Sequence, residues 1–215
     1  MNVLIIGANG HTGRHIIHQI NQEKEHKAIA LIRDENQANR LIELGADDYV
    51  IGDLEGDIDH VFEDVEAIIF AAGSGSGTGP EKTIAIDQEG AKKIIDEAQK
   101  HSIKHFVMLS SVGADVPEMA PDNMRNYLTA KANADEHLRR SGIPYTIVRP
   151  TSLSDEDNNL TIKASVSLDD KSKTIPRKAV ANVLINSLTM METKNETFEI
   201  TEGEKEPIEA LKYIH

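Results

Sequence analysis

Two adjacent serines and a Tyr-Lys pair are the residues of this chain best suited to moving a proton. The run His105-Phe106-Val107-Met108-Leu109 ends in Ser110-Ser111, and Tyr127-Leu128-Thr129-Ala130-Lys131 follows further along. Tyr127 and Lys131 stand four apart, so they share one face if the segment is helical. An ammonium beside a phenol lowers the phenol's pKa. The phenol then passes a proton to or from a carbonyl oxygen, and a serine hydroxyl steadies that oxygen. Strand register alone does not choose between Ser110 and Ser111. Because Tyr-x-x-x-Lys is a common helical spacing, it gains meaning only beside a source of hydride for the neighbouring carbon.

The chain contains no cysteine, which removes a thiol nucleophile, a thiolate metal site and a disulfide framework. It fits a reducing compartment, and the expectation is a cytoplasmic protein. Redox chemistry would have to borrow a cofactor. Gly7-Ala8-Asn9-Gly10-His11-Thr12-Gly13 offers a place for one, because this G-x-x-G-x-x-G stands directly after an apolar run and directly before a helical pattern. In that setting Gly7 allows the tight turn out of the strand, Gly10 lets a pyrophosphate approach the backbone, and Gly13 lets the helix pack closely. The helix N-terminus presents free N–H groups and partial positive charge to the phosphates. Asn9, His11 and Thr12 lie within the turn, where their backbone and the Thr12 hydroxyl can reach phosphate; His11 needs no chemical role.

The end of the second strand discriminates the two nicotinamide dinucleotides, since a carboxylate there accepts from a ribose 2′-OH whereas a cation accommodates a 2′-phosphate. Here Ala28-Ile29-Ala30-Leu31-Ile32 ends in Arg33, followed by Asp34. The planar fork of Arg33 favours NADP(H) over NAD(H), with pairing to Asp34 or plain solvation as its alternatives. In Gly52-Asp53-Leu54, Asp53 can reach an adenine amino group, or only organise the turn, while Leu54 covers the ring. Ala71-Ala72-Gly73 would run beneath the adenosine, where small residues suit a close approach.

These residues need a scaffold. Short β-branched runs at 3–6, 27–32, 48–51, 67–71, 105–109, 145–148 and 197–200 read as strands; the first, fourth and fifth are nearly continuous in apolar residues and so are buried on both faces. Helical patterns fall at 13–24, 36–44, 87–100, 126–141 and 177–191. The alternation predicts right-handed crossovers and a doubly wound, mainly parallel α/β sheet of Rossmann type in a single domain spanning 1–215. Residues 151–176 lack clear periodicity and carry Asp155, Glu156 and Asp157. They read as a small irregular capping region on the substrate side, and no metal site is expected of the carboxylates. Loops at 73–80 and 113–121 follow strand ends at the edge where ligands bind in open α/β sheets.

A net charge of -13, with 4% aromatic residues and no Trp, argues against nucleic acid, whose affinity rests on Lys and Arg and on aromatic stacking. The opening apolar run meets glycine instead of extending, and no segment approaches ~18 apolar residues, so neither a signal peptide nor a membrane span is expected.

Taken together, the glycine turn, Arg33, Gly52-Asp53-Leu54, Asp87 with Gly90, Ser110-Ser111, Tyr127 with Lys131, and Tyr145-Thr146-Ile147-Val148-Arg149-Pro150 are far more specific than any one alone. Over nearly its whole length the chain resembles the short-chain dehydrogenase/reductases, in the atypical branch with NmrA-like and biliverdin-reductase-B-like members. The resemblance implies a Rossmann-type sheet, bound NAD(P), and a catalytic set of Ser111, Tyr127 and Lys131. It also implies that Lys131 holds the nicotinamide ribose and that Arg149-Pro150 lies against the nicotinamide. The C-terminal part is shorter than in the sugar-nucleotide branch, which points to a small or planar acceptor such as a carbonyl, quinone or flavin. Two other activities fit the same residues: a non-catalytic NADP(H) sensor that shows its state to a protein partner, and an epimerase or dehydratase using the cofactor transiently.

Overall fold

A computed structural model describes residues 1–75, 79–156 and 159–214. In chain order the elements are β1 (Asn2–Ile6), α1 (His11–Glu23), β2 (Lys27–Ile32), α2 (Ala38–Leu44), β3 (Asp48–Ile51), β4 (Ala67–Phe70) and α3 (Pro80–Thr83). A π-helical turn, Ile84–Gly90, joins α3 to α4 (Ala91–Lys100), and β5 (His105–Leu109), α5 (Asp122–Arg140) and β6 (Tyr145–Pro150) follow. The remainder comprises β7 (Ser152–Ser154), β8 (Ile162–Ser165), β9 (Thr174–Pro176), α6 (Arg177–Asn186), β10 (Glu196–Glu202) and α7 (Pro207–Leu211).

The main sheet has the order β3-β2-β1-β4-β5-β6-β10-β8. Every neighbouring pair is parallel except β10 with β8. This is the expected Rossmann-type doubly wound sheet, with its topological switch between β1 and β4. β4 and β5 are buried at every position, as their unbroken apolar runs require. Along β1 the side chains alternate between the faces. Val3 and Ile5 pack with Ile16, Ile17 and Ile20 of α1 and Val180 and Leu184 of α6, whereas Leu4 and Ile6 pack with Ile94 and Ile95 of α4 and Leu138 of α5.

Several boundaries move for local reasons. α5 begins at Asp122, four residues before the predicted start, because Pro121 pre-sets the backbone and Asp122 lies in the first turn, where its charge opposes the helix dipole. α6 stops at Asn186, short of the predicted Met191. There the Ser187 hydroxyl donates to the Val183 carbonyl at 2.8 Å and Asn186 Nδ2 to the Asn182 carbonyl at 2.8 Å, competing with helix continuation. Within 151–176, short strands punctuate otherwise irregular chain: β7 pairs with β9 in a separate two-stranded sheet, and β8 extends the main one. Asp157 lies outside the described residues, as do positions 76–78 of the loop after β4. Among the described residues no helix is long and apolar enough to cross a membrane.

Candidate functional site

The glycine turn sits at the C-terminal end of β1, at the topological switch. Gly7 has φ +87°, and a Cβ there would lie 2.6 Å from the Ala72 amide nitrogen, so the turn and the chain leaving β4 touch backbone to backbone. The Gly10 amide donates to the Gly7 carbonyl at 2.9 Å, closing the turn. A Cβ on Gly13 would fall 2.2 Å from Gly7 O and 2.9 Å from Ala8, so this glycine fits the helix onto the turn itself. Gly10 differs: it is exposed, and a Cβ there would meet only Gly7 O, at 3.1 Å. Its outward side is open, which leaves room for a pyrophosphate. α1 carries no side-chain cap and no acidic residue in its first turn, so its terminal N–H groups remain free for an anion. The residues present therefore fit a dinucleotide.

Around this cradle, Asn9 Oδ1 accepts from Arg14 Nη2 at 2.8 Å and Nε at 3.3 Å. Thr12 is buried. The exposed His11 pairs its Nδ1 with Asp155 Oδ1 at 3.3 Å, and Arg177 Nη1 reaches the same oxygen at 2.8 Å, joining the 151–176 segment to the start of α1.

On the adenosine side, Arg33 is exposed, while Asp34 turns its carboxylate to the Asn36 amide at 2.9 Å. Asp53 Oδ1 accepts from the Glu55 amide at 3.0 Å and so organises its turn. Leu54 packs close to Gly90, where a Cβ would meet the Leu54 Cβ at 3.1 Å. Two cations that sequence reasoning did not single out, Arg14 of α1 and Arg40 of α2, lie near each other. Burial and the nearby guanidinium of Arg40 hold Arg14 below the usual arginine range. None of Arg14, Arg33 and Arg40 is ion-paired to a carboxylate among the described residues. In a chain with 36 acidic residues against 23 Lys and Arg, arginines without a carboxylate partner are informative; the approach of Arg14 and Arg40 is a tertiary fact that periodicity does not reveal.

At the end of β5, Lys131 Nζ donates to the Leu109 carbonyl at 3.2 Å, lies 3.0 Å from Asp87 Oδ1, and sits 5.7 Å from the centroid of the Tyr127 ring. Lys131 is 3% exposed and Asp87 fully buried. Burial pushes the ammonium down, but Tyr127, Asp87 and Asp135 outweigh it and the net displacement is upward, so Lys131 stays charged. The structure thus brings Tyr127 and Lys131 together beside the strand end that leads into the serines.

The two serines separate. Ser110 is buried and donates to Asp135 Oδ2 at 2.8 Å, an oxygen that also receives Arg149 Nη2 at 2.9 Å and Nε at 3.1 Å. Burial pushes the Asp135 carboxyl up, opposed by Arg149 and Ser110. Ser111 is half-buried, and among the described residues its hydroxyl bonds only to the Val112 carbonyl, at 3.2 Å. Pro150, buried at the end of β6, accepts from the Val112 amide through its carbonyl at 3.1 Å. Gly73 lies against Asp87, whose Oδ1 would be 3.2 Å from a Cβ there.

Further along the same edge, Ser154, Glu156, Asn159, Thr174, Pro176 and Glu202 line a cavity of about 160 Å³. At the opposite edge Asp59, Glu97 and His101 converge, but His101 is bonded to Asp59 at 3.0 Å and Lys100 to Glu97 at 2.7 Å, an ion-paired surface cluster.

The chain is 37% identical over 217 residues to the uncharacterized sugar epimerase YhfK of Bacillus subtilis, covering all of both chains. It is 27% identical over 243 residues to sanguinarine reductase of Eschscholzia californica, covering 93% of this chain and 88% of that one. A solved structure from Bacillus halodurans, provisionally described as an NAD-dependent epimerase/dehydratase, superposes with a TM-score of 0.96 at 41% identity over 99% of each chain. Residues 7–190 match the NAD(P)H-binding family model, so the open cradle at Gly10 and the sheet that carries it are those of a protein belonging to the NAD(P)H-binding family.

Proposed function

We propose that the protein is an NADPH-dependent oxidoreductase acting on a small carbonyl, quinone or flavin, with Tyr127 as general acid, Lys131 as its charged neighbour and ribose anchor, and Ser111 as the hydroxyl that steadies the reacting oxygen. The observation that carries this reading is the buried, charged Lys131 against the Tyr127 ring, on the same sheet edge as the open glycine cradle. When bound, the reduced nicotinamide supplies hydride. The chain's own part is to deliver a proton: the Tyr127 hydroxyl gives its proton to the carbonyl oxygen as the adjacent carbon is reduced, and solvent replaces it. Ser110 is committed to Asp135, which supports Ser111 for the oxygen contact. For a quinone or flavin, solvent can supply the proton and Tyr127 matters less.

A second reading, an epimerase or dehydratase, is favoured by the descriptions of two relatives. The cavity beside β7 and β9 weighs against a phosphate-bearing sugar nucleotide if it takes the substrate, because among the described residues its lining holds Glu156 and Glu202 and no cation. A panel of carbonyls, quinones and flavins followed by loss of NADPH absorbance separates the readings: oxidation dependent on an added acceptor supports the oxidoreductase. Tightly retained cofactor without net oxidation supports the epimerase, and reversible cofactor binding without turnover supports a sensor.

Preference for NADP(H) rests on Arg33, exposed at the end of β2. Calorimetry should find NADPH bound more tightly than NADH, with Arg33→Ala costing roughly 1.5 to 3 kcal/mol for NADPH alone. Equal affinity for the two cofactors, or a preference unchanged in Arg33→Ala, contradicts the assignment.

A further inference from the structure

From α4, one lysine reaches across to the turn that follows β3. The half-buried Lys93 donates from Nζ to the Leu54 carbonyl at 3.1 Å and to the Gly56 carbonyl. Neither acceptor is an anion. Among the described residues Lys93 is ion-paired to no carboxylate, although Glu55 and Asp57 belong to the same stretch of chain. Glu55 pairs instead with Lys82 of α3, at 2.6 Å. The Gly56 amide closes the turn onto the Asp53 carbonyl at 2.8 Å, and the Glu55 amide donates to Asp53 Oδ1 at 3.0 Å. The Leu54–Glu55 peptide is therefore gripped at both ends. It is trans and planar, so its carbonyl and its N–H point in opposite directions. An ammonium that fixes the carbonyl also aims the N–H, and the N–H fixes the Asp53 carboxylate.

We propose that Lys93 is a positioning residue for the dinucleotide: through the Leu54–Glu55 peptide it sets the Asp53 carboxylate, with Oδ1 held by the turn and Oδ2 left for the adenine amino group. The inference rests on the reading of Asp53 as the adenine contact. Asp53 is exposed, and among the described residues no other side chain bonds to it. An exposed carboxylate on a loop otherwise samples several rotamers, and choosing one at the moment of binding weakens affinity. Tying the lysine to the backbone makes that choice beforehand. The turn is seated as well as aimed, because Leu54 packs at Gly90, three residues before Lys93, where a Cβ would meet the Leu54 Cβ at 3.1 Å. The Lys82–Glu55 pair contributes neither effect: its side chains are 54% and 44% exposed, and such pairs hold little in water.

The test is discrimination between NADPH and its hypoxanthine analogue, in which a carbonyl replaces the adenine amino group. A merely structural change weakens both ligands alike. By calorimetry the wild type should bind NADPH about 3- to 10-fold more tightly than the analogue, the range for one hydrogen bond. Lys93→Met should bring the two affinities together, Lys93→Arg, which keeps donors for the carbonyls, should preserve the difference, and Lys82→Met should leave it intact. A difference unchanged in Lys93→Met, an equal loss of both ligands, or a wild type indifferent to the amino group overturns the proposal. If Lys93→Met does not fold, the shorter and uncharged Lys93→Gln takes its place under the same criteria. Failure of the wild type to bind NADPH would sink the functional reading instead. The lever is then read without cofactor by hydrogen exchange at the Glu55 amide, which Lys93→Met should accelerate at least several-fold; unchanged exchange overturns it.

Discussion

At the scale of single residues, the arrangement separates holding from reacting. The Lys131 ammonium is fixed by Asp87 and the Leu109 carbonyl, while the half-buried Tyr127 hydroxyl hydrogen-bonds to no described residue. Tyr127→Phe keeps the ring that Lys131 faces, so folding and NADPH affinity should be unchanged. With a carbonyl substrate, kcat should fall by roughly 10² to 10⁴, the range for loss of a positioned general acid. Steady-state kinetics beside a cofactor titration checks both halves, and full turnover in the variant removes Tyr127 from proton transfer. The Tyr-Lys pair was legible because four-residue spacing survives into any helix. The division of labour between Ser110 and Ser111 was not, because it depends on Asp135 and Arg149, which reach Ser110 from α5 and β6. Asp87 was noticed by resemblance alone, its role being set by a π-turn that no periodicity announces.

At the scale of elements, the three glycines of the turn do different work, and substitution should separate them. Gly10→Val places methyl groups on the open side of the turn, at a backbone of φ -72° and ψ 167° that valine readily adopts. The protein should therefore stay folded by circular dichroism while cofactor binding is abolished; normal affinity would remove the cradle assignment. Gly13→Ala, by contrast, drives a methyl to 2.2 Å from Gly7 O, so α1 must shift and the thermal midpoint should drop even without cofactor. The strands β1, β4 and β5 were readable from unbroken apolar runs, because only burial on both faces permits such runs. β7, β8 and β9 escaped notice because Ser-Leu-Ser, Ile-Lys-Ala-Ser and Thr-Ile-Pro are short, and their pairing is imposed by tertiary neighbours.

At the scale of the whole molecule, a titratable group sits inside the sheet. His105 opens β5, 7% exposed, and burial pushes its pKa below the ordinary 6.5. The Thr146 hydroxyl donates to the Thr193 carbonyl at 2.8 Å, so it accepts from His105 Nε2–H at 3.0 Å, which requires a proton on Nε2, as in the neutral Nε2–H tautomer. Because the folded pKa lies below the unfolded one, the unfolded chain binds the proton first as pH falls. Stability is then fully present above about pH 6.5 and declines as pH drops from there towards the folded value. Half-buried His26 is displaced the same way. Urea midpoints taken from about pH 7 down to about pH 5, above most carboxylate titration, should fall in the wild type and fall less in His105→Gln; parallel curves would discount the histidine.

The position of β10 bears on how the chain is made. It is the final strand in sequence, yet it lies between β6 and β8 in the sheet, parallel to the one and antiparallel to the other. β8 has no other neighbour in that sheet, so although it leaves the ribosome earlier, it must wait undocked until residues 196–202 emerge. The segment 151–176 is therefore completed late in synthesis, after the strands that carry the glycine turn. A nascent chain would carry its glycine turn on docked strands before the far edge of the sheet is complete.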